Sequence, residues 1–341
     1  MLKYLFVALC ICSFIFPVQA QDPQYSQFYA APLYLNPAFA GSALAPRFTA
    51  NYRYQWPALD ANYMTYAASF DYYFSKVNSG VGLVVNHDRQ GIGGLRSTDV
   101  GAQYSYRLQL SDNLFFQPGF QLSYVMRNIN FFDLSFGDQF NPITGEFSNP
   151  TGERFDDGAM INYLDFSTGA LVYTEQFWIG VSGHHLNRPN QSLIGNTSRL
   201  PIKATIHAGF KIPLDESSKR GLAQDVNAPE RSITPAILYK MQGKFDQLDV
   251  GMYFTLEPVV FGLWYRGLPI KRYEVGLNNH DAAIFMVGYT HNNMSVGYSY
   301  DLTVSRLGVA TGGSHEISFR YVFASPEERK KFAKKIPCPK F

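Results

Sequence analysis

The feature that most constrains this chain is an alternation of apolar and polar side chains, with a period of two, that continues for about ten residues at a time. It is clear in residues 47–56, 99–110 and 293–302. Successive side chains of a β-strand point to opposite sides, so each segment has one apolar face and one polar face. Strands of soluble sandwiches usually have about five or six residues, whereas a tilted membrane strand needs about 9–11. The lengths predict an all-β fold, a transmembrane antiparallel β-barrel.

The beginning of the chain indicates export. Lys3 precedes an apolar stretch that ends at small residues, so we expect residues 1–20 to be a signal peptide cleaved before Gln21. An uncleaved membrane anchor is the alternative. Beyond residue 20, glycine, asparagine or charge interrupts every apolar run before it reaches the ~18 residues of a spanning helix. That part can enter a membrane only as a closed barrel, since an open sheet edge lacks hydrogen-bond partners in lipid.

The composition argues against several other classes of protein. The net charge is only +2 and aromatic residues make up 16 %, whereas nucleic-acid binding would require a strongly basic face. Cys338 is the only cysteine beyond residue 20, so neither a disulfide framework nor the cysteine spacing of a zinc site is present. We therefore expect no cofactor, no metal and no nucleic acid, and we expect membrane lipid as a partner.

Turn signals divide residues 47–324, the predicted barrel, into about fourteen strands. They are predicted at 47–56, 64–75, 80–88, 97–110, 113–127, 161–174, 176–186, 201–213, 232–242, 247–256, 258–266, 281–290, 293–303 and 314–324. Short links follow even strands and long links follow odd ones, except at 214–231 and 243–246. Because bacterial barrels have even strand numbers, short periplasmic turns and long outer loops, we expect an outer-membrane protein with both termini periplasmic.

A barrel of this size raises the question of what fills its lumen. Fourteen strands should leave a gap wide enough to leak, and the candidate fillers are residues 21–46, 128–160 and 214–231. We expect the first of them to fold into the periplasmic mouth as a plug; the alternative is an arm on the surface. Its candidate plug or partner-contact residues are Tyr25, Phe28, Tyr29, Tyr34, Asn36, Pro37 and Phe39.

The charged residues on the predicted inner faces are mixed in sign. This indicates a solvated, salt-bridged wall rather than an ion-selective ring. They are Arg53, Asp71, Arg107, Arg127, Asp165, Lys203, Lys211, Arg266 and Arg320.

Little in the sequence points to catalysis. Ser182 lacks the Gly-x-Ser-x-Gly spacing of a nucleophile elbow. His184 and His185 lie at a strand end, where packing is the favoured interpretation over metal binding, and His315 has no second histidine at helical spacing. We predict no enzyme and no catalytic residue. A hydrolase that pairs a lumen-edge serine with a histidine of another strand is the third hypothesis.

Residues 325–341 form a charged tail that we predict to be periplasmic. Prolines near its end should stop any helix in it. We interpret it as a docking handle, with a solvated tail as the alternative, and we expect Cys338 to be buried for structural reasons. The candidate docking residues are Arg329, Lys330, Lys331, Lys334, Lys335 and Cys338.

Both ends of the chain resemble one family. The sequences DPQYSQFY at 22–29 and LYLNPAFAGS at 33–42 resemble the opening of the PorP/SprF family of Bacteroidetes outer-membrane proteins. The sequences YSYD at 298–301, GGSHEIS at 312–318 and IPCPKF at 336–341 resemble its C-terminal end.

The resemblance implies an accessory outer-membrane component of the type IX secretion system, which in gliding bacteria also exports surface adhesins. It implies that the protein helps to export or anchor substrates that carry a C-terminal signal domain. It also implies contacts with the periplasmic ring and lipoprotein parts of the machinery. The alternative function is a plugged transporter for a small hydrophobic solute, because fourteen strands with an N-terminal hatch are similar to long-chain fatty-acid transporters.

Overall fold

Fourteen long antiparallel strands form one sheet that closes on itself. The structure is a computed structural model that describes residues 22–131, 134–141, 143–147, 151–152, 160–214, 230–272, 278–305, 308–323 and 336–338. Each long strand pairs with the next in sequence, and the last pairs with the first, so that Arg47 lies opposite Val322 and Gln55 opposite Ser314. Closure leaves no unpaired edge, which is the condition for a sheet to lie in lipid.

The strands alternate in direction around the barrel. They are β1 (Arg47–Gln55), β2 (Tyr63–Phe74), β3 (Ser79–Gln90), β4 (Leu95–Tyr106), β5 (Phe115–Asn128), β6 (Met160–Tyr173), β7 (Phe177–His184), β8 (Lys203–Phe210), β9 (Arg231–Gln242), β10 (Phe245–Leu256), β11 (Val259–Arg272), β12 (Asn278–His291), β13 (Met294–Thr303) and β14 (Ser314–Val322). The two-residue strands Leu108–Gln109 and Ile212–Pro213 continue β4 and β8.

Helical structure is short in the described part of the chain. The α-helix α1 (Pro32–Leu35) lies before β1, and single 3₁₀ turns cover Pro37–Phe39, Ser75–Val77, Gly137–Gln139 and Val309–Thr311. Among these residues no helix is long and apolar enough to span a bilayer.

The two ends of the barrel differ in their connections. At one end β1 begins and β14 ends, and tight turns join β2 to β3, β6 to β7, β10 to β11 and β12 to β13. We call it the short-turn rim and the opposite end the long-loop rim. The turn between β9 and β10, Gly243 and Lys244, is short although it lies at the long-loop rim, as predicted. The predicted signal peptide, residues 1–20, and the core of the 214–231 link lie outside the described residues.

The fourteen predicted strands are confirmed, with one informative difference. Residues 89–96 were predicted to be a loop, but β3 continues to Gln90 and β4 starts at Leu95, which leaves a four-residue turn. Gly91 and Gly94 have positive φ values of 64° and 55° in this turn. The apolar alternation ends before the strands do. The rim projects beyond the hydrocarbon and needs no apolar face, whereas the backbone hydrogen bonds between β3 and β4 continue.

The 128–160 link was a candidate filler of the lumen. In its described part, Ile143 is 94 % exposed and Phe147 is 61 % exposed. These residues lie outside the lumen, so the described part of the link does not fill it.

The wall is apolar outside and polar inside. Phe120 and Leu122 on β5 are exposed, whereas the alternate residues Gln121 and Ser123 are buried. A soluble protein has the reverse arrangement, with apolar side chains inside. The exposed apolar faces of adjacent strands form a continuous band, as expected of a barrel whose exterior contacts lipid.

This band predicts that a charged substitution on the outer face destabilises the barrel by an amount that depends on its depth in the bilayer. Val250 and Leu256 are both exposed on β10, the first at mid-strand and the second at its end. Val250→Arg should lower the free energy of unfolding by about 2–4 kcal/mol and Leu256→Arg by about 1 kcal/mol or less, since the penalty falls towards the interface. Urea titrations in lipid vesicles measure both. Equal costs at the two positions would contradict a lipid-facing wall.

Candidate functional site

Residues 22–45 run through the lumen from one rim to the other. Asp22 contacts His185, Lys203 and Gln242, which lie at the long-loop rim. The carbonyl of Ala40 accepts hydrogen bonds from Ser105 at 2.7 Å and Gln117 at 3.0 Å, near the short-turn rim. We refer to residues 22–45 as the lumen segment. The segment thus spans the lumen between the two rims rather than lying at one mouth, and its role as a plug stays a prediction.

A buried charged cluster holds the lumen segment near Ser26. The two oxygens of the Glu316 carboxylate accept the backbone N–H groups of Ser26 at 2.7 Å and Gln27 at 3.0 Å. The Ser26 hydroxyl donates to Asp301 at 2.6 Å. Gln27 extends the contact by donating to the Glu316 carbonyl at 2.9 Å. Backbone and side chain of the segment are therefore both fixed by carboxylates of β13 and β14.

Two arginines complete this cluster, which we call the Ser26 network. Arg53 contacts Asp301 at 2.8 Å and Glu316 at 3.2 Å. Arg266 contacts Asp249 at 2.7 Å and Asp301 at 3.0 Å. Both guanidinium groups also donate to the Ser26 hydroxyl at 2.8 Å. All these groups are buried, so removal of one partner would leave an uncompensated charge away from water.

Aromatic side chains of the segment form an apolar layer across the lumen. Phe28 packs edge-on against Trp264 with ring centroids 4.9 Å apart, and Phe39 stacks on His207 at 5.5 Å. The Tyr29 hydroxyl accepts a hydrogen bond from Trp178 Nε1 at 3.0 Å. These residues belong to one core cluster to which several inward-facing wall residues contribute. The wall thus changes from polar to apolar where the segment is aromatic.

Asn36 fixes the turn in the middle of the segment. Its side-chain amide donates to the carbonyl of Val181 at 3.0 Å, and its Oδ1 accepts the N–H of Ala38 at 2.9 Å. Gly119 and Gly169 are direct cross-strand partners on β5 and β6. A Cβ at Gly169 would collide with the Asn36 side chain, and one at Gly119 with the Ala38 backbone. The lack of side chains at this glycine pair therefore lets the lumen segment approach the backbone of the wall closely.

The seven predicted plug or contact residues all belong to this interior packing. Tyr25, Phe28, Tyr29, Asn36, Pro37 and Phe39 are buried, and Tyr34 is half-buried. Tyr25 and Tyr34 pack edge to face with ring centroids 5.2 Å apart. That the segment closes the barrel to solutes stays a prediction. The sequence did not indicate the glycine pair, although glycines inside strands signal close backbone approach.

The predicted inner-face charges are paired in several places. Arg47 contacts Asp71 at 2.7 Å and Lys211 contacts Glu230 at 2.6 Å. Arg107 lies 4.1 Å above the centroid of the Phe115 ring. The wall is therefore salt-bridged, but it is not solvated as predicted at Arg47, Asp71 and Arg266, which are buried because the lumen segment fills the space beside them.

The residues considered for catalysis are not brought together. The Ser182 hydroxyl donates to the Leu35 carbonyl of the lumen segment at 3.0 Å. His315 lies on the outer face, where it hydrogen-bonds to the exposed Tyr298 at 2.8 Å. A serine that faces the lumen and a histidine that faces outward cannot form a dyad. In the described part of the chain no cluster of three or more His, Cys, Asp or Glu residues could hold a metal.

At the long-loop rim the segment begins in a second charged contact. Asp22 Oδ2 lies 2.7 Å from both His185 Nε2 and Lys203 Nζ, and His185 Nδ1 lies 2.9 Å from Asp165. Burial opposes ionisation of Asp22, but His185 and Lys203 outweigh it and hold the pKa of Asp22 well below its usual range. Burial likewise acts to lower the pKa of His185, yet Asp22 and Asp165 raise it to about 9.

A cavity of about 440 Å³ lies beside this contact at the long-loop rim. Aromatic side chains and charged groups of both signs line it, the carboxylates being Asp22, Asp246 and Asp281. The aromatic and cationic side chains include Tyr25, Phe28, Trp56, Lys203 and Lys240. The cavity is therefore the place where the lumen segment meets the space beyond the long-loop rim.

The end of the C-terminal tail returns to the barrel interior. Ile336 and Cys338 pack against the same core cluster as the lumen segment. Cys338 is a free, partly buried thiol, and burial raises its pKa well above its usual value. The basic residues predicted for docking, 329–335, lie outside the described residues. Their role stays a prediction.

The contact of His185 with Asp22 predicts a pH dependence of stability. Because the pKa of His185 is raised from 6.5 to about 9, its contribution is complete below pH 6.5 and is lost as the pH rises through about 9. A shift of this size corresponds to about 3 kcal/mol. The difference in free energy of unfolding between wild type and His185→Gln should therefore shrink by about 3 kcal/mol between about pH 6 and about pH 10.

Urea unfolding in detergent micelles at several pH values measures this difference. The matched control is His291→Gln, since the exposed His291 stacks on Tyr289 and forms no ion pair within the described residues. A difference between wild type and His185→Gln that is constant over this pH range would contradict the prediction.

Comparisons with known proteins give one family match and several similar solved structures. The model of the family described as type IX secretion system membrane protein PorP/SprF matches residues 18–321. A search of curated proteins finds no match. Among solved structures, outer membrane protein Omp33 of Acinetobacter baumannii is similar at 10% identity, with 82% of this chain and 98% of that chain covered and a TM-score of 0.41.

Two further solved structures are similar over 85% of this chain and 93% of theirs. They are a Pseudomonas aeruginosa FadL homologue at 11% identity and the P. putida toluene transporter TodX at 9%, each with a TM-score of 0.44. Since the family model covers most of the sequence, the chain belongs to the PorP/SprF family of type IX secretion system membrane proteins.

Proposed function

We propose that this barrel is a non-enzymatic secretion accessory that assists the export or surface anchoring of specific secreted proteins through protein contacts. The observation that carries the proposal is the filled lumen, in which the buried Ser26 network fixes residues 22–45. A barrel with such an interior offers surfaces to partners rather than an open conduit. Family membership supplies the secretion context.

The two rims suit two different partners. In this proposal the short-turn rim faces the periplasm, where the basic tail 325–341 meets the periplasmic ring and lipoprotein parts of the machinery. The long-loop rim faces outward, where a secreted substrate with a C-terminal signal domain, such as a gliding adhesin, is held. The aromatic and charged lining of the cavity of about 440 Å³ supports a contact with protein there. In this arrangement residue 22 lies at the outer rim and the basic residues 329–335 are periplasmic, while Ile336 and Cys338 pack in the barrel interior.

A second candidate function is a plugged transporter for a small hydrophobic solute. The observation that favours it is the same cavity, whose volume falls within the range of about 300–1,000 Å³ of small-molecule sites. Tyr25, Phe28 and Trp56 would provide apolar contacts. Transport would also require the lumen segment to move, which the Ser26 network opposes.

Deleting the gene and comparing the surface proteome with that of the parent strain separates the two functions. Export assistance predicts the loss of one or a few secreted proteins from the cell surface, with the other proteins unchanged. Normal secretion together with reduced uptake of a hydrophobic solute would contradict it and favour transport. Complementation with the wild-type chain is the control, and His315→Ala should complement equally, because His315 lies on the outer face away from the lumen segment and a noncatalytic barrel needs no catalytic histidine.

A further inference from the structure

Two arginines stand side by side on the outer surface of the barrel at the long-loop rim. Arg89 on β3 and Arg96 on β4 are direct cross-strand partners, and both side chains are exposed. The alternate residue Asp88 is buried and faces the lumen. Side chains directly opposite in an antiparallel pair have Cβ atoms about 4.5–5.5 Å apart. Two positive charges are therefore held next to each other on the outer surface, at the rim above the hydrocarbon.

Nothing in the described part of the chain neutralises this pair. Like charges directly opposite each other destabilise a sheet, yet neither guanidinium forms an ion pair among the described residues. The carboxylate Asp88 next to Arg89 accepts hydrogen bonds from Thr65 and Gln90. An anion from outside the chain would offset the repulsion.

An apolar depression lies on the same outer face, nearer the middle of the strands and centred on β1 and β2 beside the arginine pair. It has a volume of about 430 Å³, its floor is formed by the cross-strand pair Ala50 and Ala68, and Tyr52, Tyr66 and His87 stand beside it. The small alanines leave space between large side chains. His87 precedes Arg89 by two residues, so the depression begins about 7 Å from the arginine pair along the strand.

We propose that this surface binds one lipid that carries a phosphate group. The arginine pair binds the phosphate, since guanidinium groups form paired, charge-assisted hydrogen bonds with phosphate oxygens. An acyl chain lies in the depression, which points from the rim towards the middle of the bilayer. A free phosphate ion would use the arginines alone, whereas an apolar depression that reaches His87 on the strand of Arg89 matches a lipid. The proposal does not depend on the secretion function.

The test is a titration of the whole purified barrel in detergent micelles with short-chain phosphatidylglycerol or phosphatidylcholine, followed by native mass spectrometry. Wild type should bind one phosphatidylglycerol at least tenfold more tightly than phosphatidylcholine. Arg89→Gln combined with Arg96→Gln should lose this preference. The matched control is Arg188→Gln combined with Arg199→Gln, which removes the same charge from exposed arginines of an outer loop and should keep it.

A second variant tests the depression without changing charge. Ala68→Phe should weaken phosphatidylglycerol binding at least tenfold by filling the space, and millimolar inorganic phosphate should not displace the lipid. Circular dichroism verifies that every variant keeps its β-structure. The proposal would be overturned by equal phosphatidylglycerol affinities of the two double variants. It would equally be overturned if inorganic phosphate displaced the lipid while Ala68→Phe bound it as wild type does, since the site would then bind phosphate alone.

Discussion

The structure depends on the burial of ion pairs between the barrel wall and its own N-terminal segment. Arg53 and Arg266 meet Asp249, Asp301 and Glu316 away from water, and Ser26 lies at the centre of the group. Charges in such an environment are tolerated only when each has a partner and its remaining hydrogen bonds are made. The hydroxyl and the backbone N–H groups of the segment make several of those bonds. The segment therefore stabilises the buried charges of the wall by hydrogen bonding to them.

A closed barrel in lipid is apolar outside and polar inside, the reverse of a soluble protein. The lumen segment provides partners for the polar groups inside. The outer faces are apolar because they contact hydrocarbon, so the polar residues lie on the inner faces. A lumen enclosed by fourteen strands is too wide for these residues to pair directly across it. The segment fills this gap with backbone groups, hydroxyls and amides at both ends and with aromatic rings in the middle. Gly119 and Gly169 give it the room it needs.

The strands could be predicted because their signal is local. Alternation with a period of two and the turn residues between strands are visible within about ten neighbouring residues. The β3–β4 hairpin was predicted too short because Arg89 and Arg96 do not continue the apolar pattern, although the backbone ladder includes them. Rim residues carry no lipid-facing constraint, so hydropathy cannot mark where such a strand ends.

The course of the lumen segment could not be predicted, because its partners are distant in sequence. Its aromatic composition indicated burial, but the contact of Gln27 with Ser318 joins residues 291 positions apart. Asp22 could have paired with any of several cations, and only the closed barrel places His185 and Lys203 together at one rim. Ser182 was a possible nucleophile only under the third hypothesis, and its hydroxyl binds the segment's backbone.

The central claim is that residues 22–45 close the barrel. Its most direct test is ionic conductance in planar bilayers, comparing the wild-type barrel with a variant that lacks residues 22–44 and whose β-structure is verified by circular dichroism. The wild-type barrel should conduct no steady current, and the shortened barrel should open a persistent one. Equal conductance of the two proteins would contradict the claim.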